Sequence, residues 1–327
     1  MTVYAIENTL RPLNALPAVP QDSQSSQDSQ SPQDSQSPQD SQSPRAPLAV
    51  SLTFEELARC PLATEEIREL LMRSRDGHFC KAELRRCGIV GAVSMPSKSG
   101  KHEPLCFSYF LRREFVLFCC DAGKIERMLE RLSLRQDWAS PDSGELLCSV
   151  LFSLIDGDLL ALEALDTRIE KLENAVLCGQ IEAFNREMPA LRKRLTALQR
   201  FYSQLIDAGQ KLIESGERFL DADALMLMRL LCERCMRLRE EAQALREYAM
   251  QVREEYQAQI DLKQNRVMQI LTVVTVVFMP LTLIAGWFGM NLKMPEFEWD
   301  YGYPMVIGLS VVVVALCMLI CKKKKFW

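Results

Sequence analysis

The sequence predicts an α+β domain that carries a long helical stalk and ends in two transmembrane helices. Three observations predict it. Residues 270–288 and 305–321 are apolar and uncharged, and each is long enough to cross a bilayer core, which takes about 17 to 25 residues of helix. Between residues 221 and 285 there is one proline, Pro280, and no glycine, so nothing but Pro280 interrupts a helical run of about 65 residues, close to 100 Å at 1.5 Å each. Residues 105–120, LCFSYFLRREFVLFCC, alternate and are rich in Phe, Val and Cys, the pattern of strands.

The elements follow in order. Residues 1–47 read as a disordered tail, because residues 21–44 are four hexapeptides, QDSQSS and three QDSQSP, with no large apolar residue to offset ordering entropy. A spacer, a partner-binding tail and a tolerated repeat expansion all fit it. Residues 48–142 read as a small α/β domain. SLTFEELARC places Ser or Thr before an acidic first turn, as helix starts do. Two strands, 105–111 and 114–120, turn at Arg112 and Arg113, and KIERMLERL at 124–132 is helical. Residues 143–220 carry apolar residues at three- and four-residue steps and predict two long helices in an antiparallel hairpin.

The stalk, residues 221–269, opens on DADAL, a source of N-caps. Its apolar seam is Leu231, Cys235, Leu238, Ala242, Leu245, Ala249, Val252 and Tyr256, the alternating spacing of a helix packed along another. From Glu233 to Arg266 seven acids face seven bases, which suits a solvated bundle or coiled coil, and a multi-chain stalk.

Charge sets the topology. Lys263 and Arg266 precede the first span and Lys322–Lys325 follow the second, whereas the loop at 289–304 sets Lys293 against Glu296, Glu298 and Asp300. The positive-inside rule puts both termini and the basic tail at 322–327 in the cytoplasm of a cell-membrane protein. Trp287, Trp299, Tyr301 and Tyr303 form an outer aromatic belt. MTVYAIENTL lacks the basic-then-apolar order of a secretory signal.

A net charge of −4 argues against a general nucleic-acid binder. The twelve cysteines follow no secreted-scaffold spacing and read as reduced thiols. Cys232 and Cys235 form a CxxC with no second half, and the only histidines are His78 and His102, so structural thiols are the better reading. No catalytic constellation or phosphate loop marks an enzyme, and no cofactor is implied.

The first span keeps a stripe of Asn265, Met268, Thr272, Thr275, Met279, Thr282 and Gly286. Two readings fit it. The stripe lines a polar path, or it packs against another helix, since threonine hydroxyls bond their own backbone and small residues favour close contact. Two helices cannot enclose a wide pore, so a path requires several chains. The span ends in GWFGMNLKMPEF, where Asn291 either caps the helix or faces something polar at a mouth. The loop acids are either a solvated loop or a device that concentrates cations.

NRVMQILTVVTVVFMPLTLIAGWFGMNLKMPEFEWDYGYP, a second span and a final KKKK-aromatic tail resemble the CorA magnesium-transporter family. SLIDGDLLALEALDTRIEKLENAVL resembles the family's cytoplasmic helical region, and the likeness runs from about Ser143 to Trp327. The resemblance implies a homopentameric funnel in lipid, with no other protein partner, that moves Mg²⁺ and accepts Co²⁺ and Ni²⁺. By motif match, Asn265, Met268, Leu271, Met279, Thr282, Gly286 and Asn291 line the pore. Gly289, Met290 and Asn291 form the selectivity ring, with Asn291 touching the ion through its water. Leu271 and Met279 are apolar constrictions that close by dewetting. The driving force is the membrane potential, about 2.3 kcal/mol per charge per 100 mV. The family's sensor of internal Mg²⁺ includes an acidic pair in an R-D-x-x-D setting. Here Arg229, Leu230 and Glu233 stand there, so feedback is either weaker or carried by other acids such as Asp156, Asp158 or Glu233.

Overall fold

The structure, a computed structural model, describes residues 1–7, 10–13, 16, 46–75, 77, 79–97, 104–121, 123–134, 142–178, 181–290 and 301–323. It divides into two compact units, residues 1–249 and 250–327.

The first unit is built on a seven-stranded mixed sheet. Its strands are β1 (Thr2–Ile6), β2 (Leu10–Leu13), β3 (Leu48–Leu52), β4 (Lys81–Arg85), β5 (Gly88–Met95), β6 (Leu105–Leu111) and β7 (Phe115–Cys119), in the spatial order β2-β1-β3-β7-β6-β5-β4. β3 and β7 are parallel, and every other neighbouring pair is antiparallel. The folded domain therefore includes Thr2–Ile6 and Leu10–Leu13, ahead of the expected boundary at residue 48. Val3, Tyr4 and Ile6 are buried, and β1 is held between β2 and β3. The low-complexity segment had set the expected boundary, whereas the apolar VYAI before it has a long-range partner in β3. The QDSQSP repeats lie outside the described residues.

Strand alternation sorts the two faces of the sheet. Val3, Val50, Leu52, Val90, Phe110, Phe115, Leu117 and Cys119 form one core with α1 (Phe54–Leu57) and α2 (Glu65–Arg73). The first of these helices starts in a capping box, with Thr53 Oγ1 accepting from Glu56 N and the Glu56 carboxylate accepting from Thr53 N. The other face is covered by α3 (Lys124–Ser133), α4 (Ser143–Ile155) and α6 (Ile181–Ser215). Gly91 belongs to this face, where a Cβ would come within 2.1 Å of the buried Tyr109 ring.

The expected first helix of the hairpin is two helices. α4 ends at Ile155 and α5 (Asp158–Leu177) starts after Gly157, whose φ of 74° is left-handed. Apolar residues on all sides of α4 disguise the break. They are needed because α4 is sandwiched: Leu146, Leu147, Val150, Leu151, Leu154 and Ile155 are all buried, and Cys148 Sγ donates to Ala224 O of the next long helix.

That helix, α7, runs from Ala222 to Phe288. In the first unit its seam of Leu231, Cys235, Leu238, Ala242, Leu245 and Ala249 is buried against α5 and α6 of the same chain. Cys232 Sγ reaches Ile206 O, Arg246 donates to Gln199, and Tyr248 donates to Glu173. The seam is thus satisfied within one chain and does not call for a partner.

The second unit consists of α7 beyond Met250 together with α8 (Gly302–Lys323). Both are long and apolar enough to cross a membrane.

Candidate functional site

The span of α7 has two unlike faces. Gln269, Val273, Val277, Pro280, Leu281, Ile284 and Phe288 are half-covered, and every other residue from Asp261 to Met290 except those is exposed. α8 likewise has one half-covered row, Val306, Ser310, Val313, Val314 and Cys317, ending on buried Cys321. The stripe Asn265, Met268, Thr272, Thr275, Met279, Thr282 and Gly286 lies on the exposed side of α7. At 3.6 residues per turn its centre is about 150° from the centre of the half-covered row. Intrachain packing therefore does not use the stripe.

Its threonines share one geometry. Thr272 Oγ1 donates to Met268 O, Thr275 to Leu271 O and Thr282 to Phe278 O, each at 2.8 Å. The hydroxyl proton is spent on the helix backbone, and the oxygen keeps its acceptor lone pairs for what lies beside the helix. Thr275, Met279, Thr282, Gly286 and Met290 line a shallow open hollow with Val274, Phe278, Leu283 and Trp287. Leu271 and Met279 are 57% and 70% exposed, so the two expected constriction residues project from the helix.

The helix closes tightly at its end. Gly289 N donates to Ala285 O at 2.9 Å and Met290 N to Trp287 O at 3.4 Å. Gly289 is not among the left-handed glycines. A Cβ on it would instead sit 2.8 Å from Ala285 O, so its lack of a side chain is what lets the chain fold back on its last turn. Asn291 and the loop acids Glu296, Glu298 and Asp300 lie outside the described residues, as do Lys324 and Lys325.

The candidate regulatory acids do not converge. Asp156 Oδ1 pairs with Arg234 Nη2 at 3.6 Å. Asp158 is 1% exposed and accepts a 2.9 Å hydrogen bond from Tyr202 OH, so it is closed off from an ion arriving through solvent. Burial, and then the Asp158 charge, push the Tyr202 pKa up. Glu233 is exposed on α7. Among the described residues no group of three or more His, Cys, Asp or Glu side chains is arranged to hold a metal. Spacing alone missed Arg234 and Tyr202, because their partners are distant in sequence. Cys232 and Cys235 are buried, and burial pushes their thiols up to about 11 and about 12, away from the thiolate a metal needs.

Residues 53–323 match the family model described as CorA-like Mg²⁺ transporter protein. The chain belongs to the CorA family. The cobalt/magnesium transport protein CorA of Thermotoga maritima is 29% identical over 182 residues, which are 55% of this chain and 52% of that protein. The chain thus matches only about half the length of that relative. The magnesium transport protein CorA of Wolinella succinogenes is 46% identical over 72 residues, 22% of each chain. Among solved structures, full-length CmaX superposes with a TM-score of 0.71 at 15% identity, covering 100% of this chain and 97% of that one. The CorA magnesium transporter of Methanocaldococcus jannaschii does so with a TM-score of 0.71 at 16% identity, covering 98% and 96%. These likenesses carry the CorA fold, a mixed α/β sheet domain with a long helix and two C-terminal apolar helices.

Proposed function

We propose that the chain assembles as a homopentamer in the cell membrane and conducts Mg²⁺ inward, with both termini in the cytoplasm. The observation that carries this reading is the exposed row of threonines, methionines and Asn265 on the first span, on the side of α7 away from its half-covered face. Backbone-bonded hydroxyls are tolerated against lipid, but lined up on one face with acceptor lone pairs to spare they suit a water path between chains. Gly289 and Met290 lead to Asn291, whose amide carbonyl accepts hydrogen bonds from the waters of a hydrated ion. Mg²⁺ gives up water reluctantly and prefers oxygen ligands, so a ring of neutral acceptors selects the hydrated ion and still releases it. Leu271 and Met279 supply the apolar gate, and Thr282 receives the ion above it. Glu296, Glu298 and Asp300 concentrate cations at the mouth. The membrane potential supplies about 4.6 kcal/mol per divalent ion at 100 mV. Co²⁺ is a second cargo to test, after the name of the Thermotoga relative. Regulation by internal divalent ions falls to Asp156 and Glu233, with Arg234 competing for the former.

The test is Mg²⁺ uptake into liposomes holding the purified chain, read with an internal dye under an inside-negative potential, beside Asn291→Ala. Uptake that the substitution abolishes while the oligomer survives supports the filter. A folded wild type that passes neither Mg²⁺ nor Co²⁺ removes the transport reading and leaves a membrane-anchored helical domain.

A further inference from the structure

Leu271, Thr275 and Met279 form a single ridge on α7, each four residues from the next and so about 6 Å apart along the helix. All three are exposed on the side away from the half-covered face. The two ends of the ridge are the apolar side chains assigned to the gate, and its centre is a hydroxyl. That hydroxyl donates to Leu271 O at 2.8 Å, which commits its proton and leaves its oxygen to act as an acceptor. We propose that Thr275 is a hydration station inside the gate: a ring of hydroxyl acceptors that holds water between the two apolar constrictions and sets how fast a hydrated divalent ion crosses them.

The reasoning rests on the pore reading above and is chemical. A dry gap of about 12 Å, from Leu271 to Met279, would force a hydrated Mg²⁺ to shed water or draw a water column across an apolar tube. A ring of acceptors at the midpoint divides that gap into two of about 6 Å, each shorter than a hydrated ion with its second water shell. The ion's first-shell waters are donors, because the metal occupies their oxygens. The station must therefore accept, and a threonine whose own proton is committed to Leu271 O can only accept. Thr282 shares this bond but lies beyond Met279, and Thr272 shares it only one residue, about 1.5 Å, past Leu271, at the edge of the interval and not at its midpoint.

Hydration and pore width make opposite predictions at this position. Thr275→Val keeps the volume and removes the acceptor. Thr275→Ala removes the acceptor and widens the passage. Thr275→Asn adds polarity and bulk. The experiment measures initial Mg²⁺ uptake into liposomes for these three and for Thr275→Ser, with oligomer size checked for each and with wild type and Asn291→Ala alongside. The expected order is Asn above Thr, Ser restoring most of the wild-type rate, and both Val and Ala about tenfold slower, a loss of roughly one net hydrogen bond at the barrier. Because the Asn arm predicts a gain, misfolding cannot imitate support. Val equal to wild type, Ala faster than wild type, or Asn no faster than wild type overturns the station while leaving the pore intact. A wild type without uptake, or an unchanged Asn291→Ala, overturns the pore reading first and the station with it.

Discussion

Gly209 of α6 packs against Cys232 of α7 with no room for a side chain. A Cβ built on Gly209 would lie 2.4 Å from Cys232 Sγ, while the next atom, Met228 Sδ, is at an ordinary 3.5 Å. Gly209→Ala therefore has one specific obstacle. Overpacking of this kind costs about 1–3 kcal/mol, and turning Cys232 about its one side-chain torsion would bring it to the low end. Helix propensity returns about 1 kcal/mol, so the single variant loses about 0–2 kcal/mol. Cys232→Ala alone leaves a small cavity at a residue 5% exposed and costs about 1 kcal/mol. In the double variant the new methyl enters the space the sulfur left. The two changes should then fail to add by about 1–3 kcal/mol in favour of the double variant. The assay is denaturation of the full chain in detergent followed by circular dichroism, where 1 kcal/mol corresponds to about 2–4 °C in a unit of this size. A double variant whose loss equals the sum of the single losses would refute the steric account and with it the tight α6–α7 contact.

Gly91→Ala meets a harder wall, the ring of Tyr109 at 2.1 Å across the β5–β6 pair. It should destabilise by about 3 kcal/mol and be partly relieved by Tyr109→Leu, measured the same way. Alkaline pH should weaken the first unit. Burial raises Cys80 and Cys232 to about 11 and Cys119 and Cys235 to about 12. Thiols with raised folded values stabilise fully below the unfolded value near 9 and lose that contribution as pH rises above it, at up to about 1.4 kcal/mol per pH unit for each. Reduced protein should melt progressively earlier from pH 9 to 11, and a flat profile there would contradict the burial of these thiols. Tyr202→Phe should cost about 1.5–3 kcal/mol by leaving the Asp158 carboxylate without its hydroxyl donor; a neutral result would place Asp158 nearer solvent than its 1% exposure indicates.

The two C-terminal apolar helices, the strands expected at 105–111 and 114–120 and observed at 105–111 and 115–119, and the α7 seam were legible because each is a local period carried over enough residues to stand out. The N-terminal hairpin was not. Its partner β3 lies beyond a repeat segment, and pairing across such a distance leaves no local trace. The break before Gly157 did leave one, since Asp156-Gly157 is a turn dipeptide, but the uniformly apolar α4 hid it. The polar stripe on α7 was visible from spacing. Which side of the helix is left uncovered was not, because that depends on packing between elements. The acids Asp156, Asp158 and Glu233 looked interchangeable in sequence. The fold separates them into an ion-paired, a buried and an exposed carboxylate.

The burial of the stalk seam within one chain shifts the weight of the oligomer proposal. If α5 and α6 already satisfy Leu231, Cys235, Leu238, Ala242 and Leu245, then copies of the chain gain nothing from that seam. In the proposed assembly, the face offered to other copies is the exposed side of the first span. There, apolar Leu271 and Met279 stand in line with hydroxyls whose protons are already spent. Such a face is poorly matched to bulk water, which exposed methionine and leucine disfavour, and the remaining acceptor lone pairs of its hydroxyls gain nothing from lipid. In the proposed assembly, facing its own copies around a narrow column of water, it would have both an apolar ring to close and acceptors to hold the column. That is why Thr275, at the centre of the ridge, is the residue whose polarity should govern the rate.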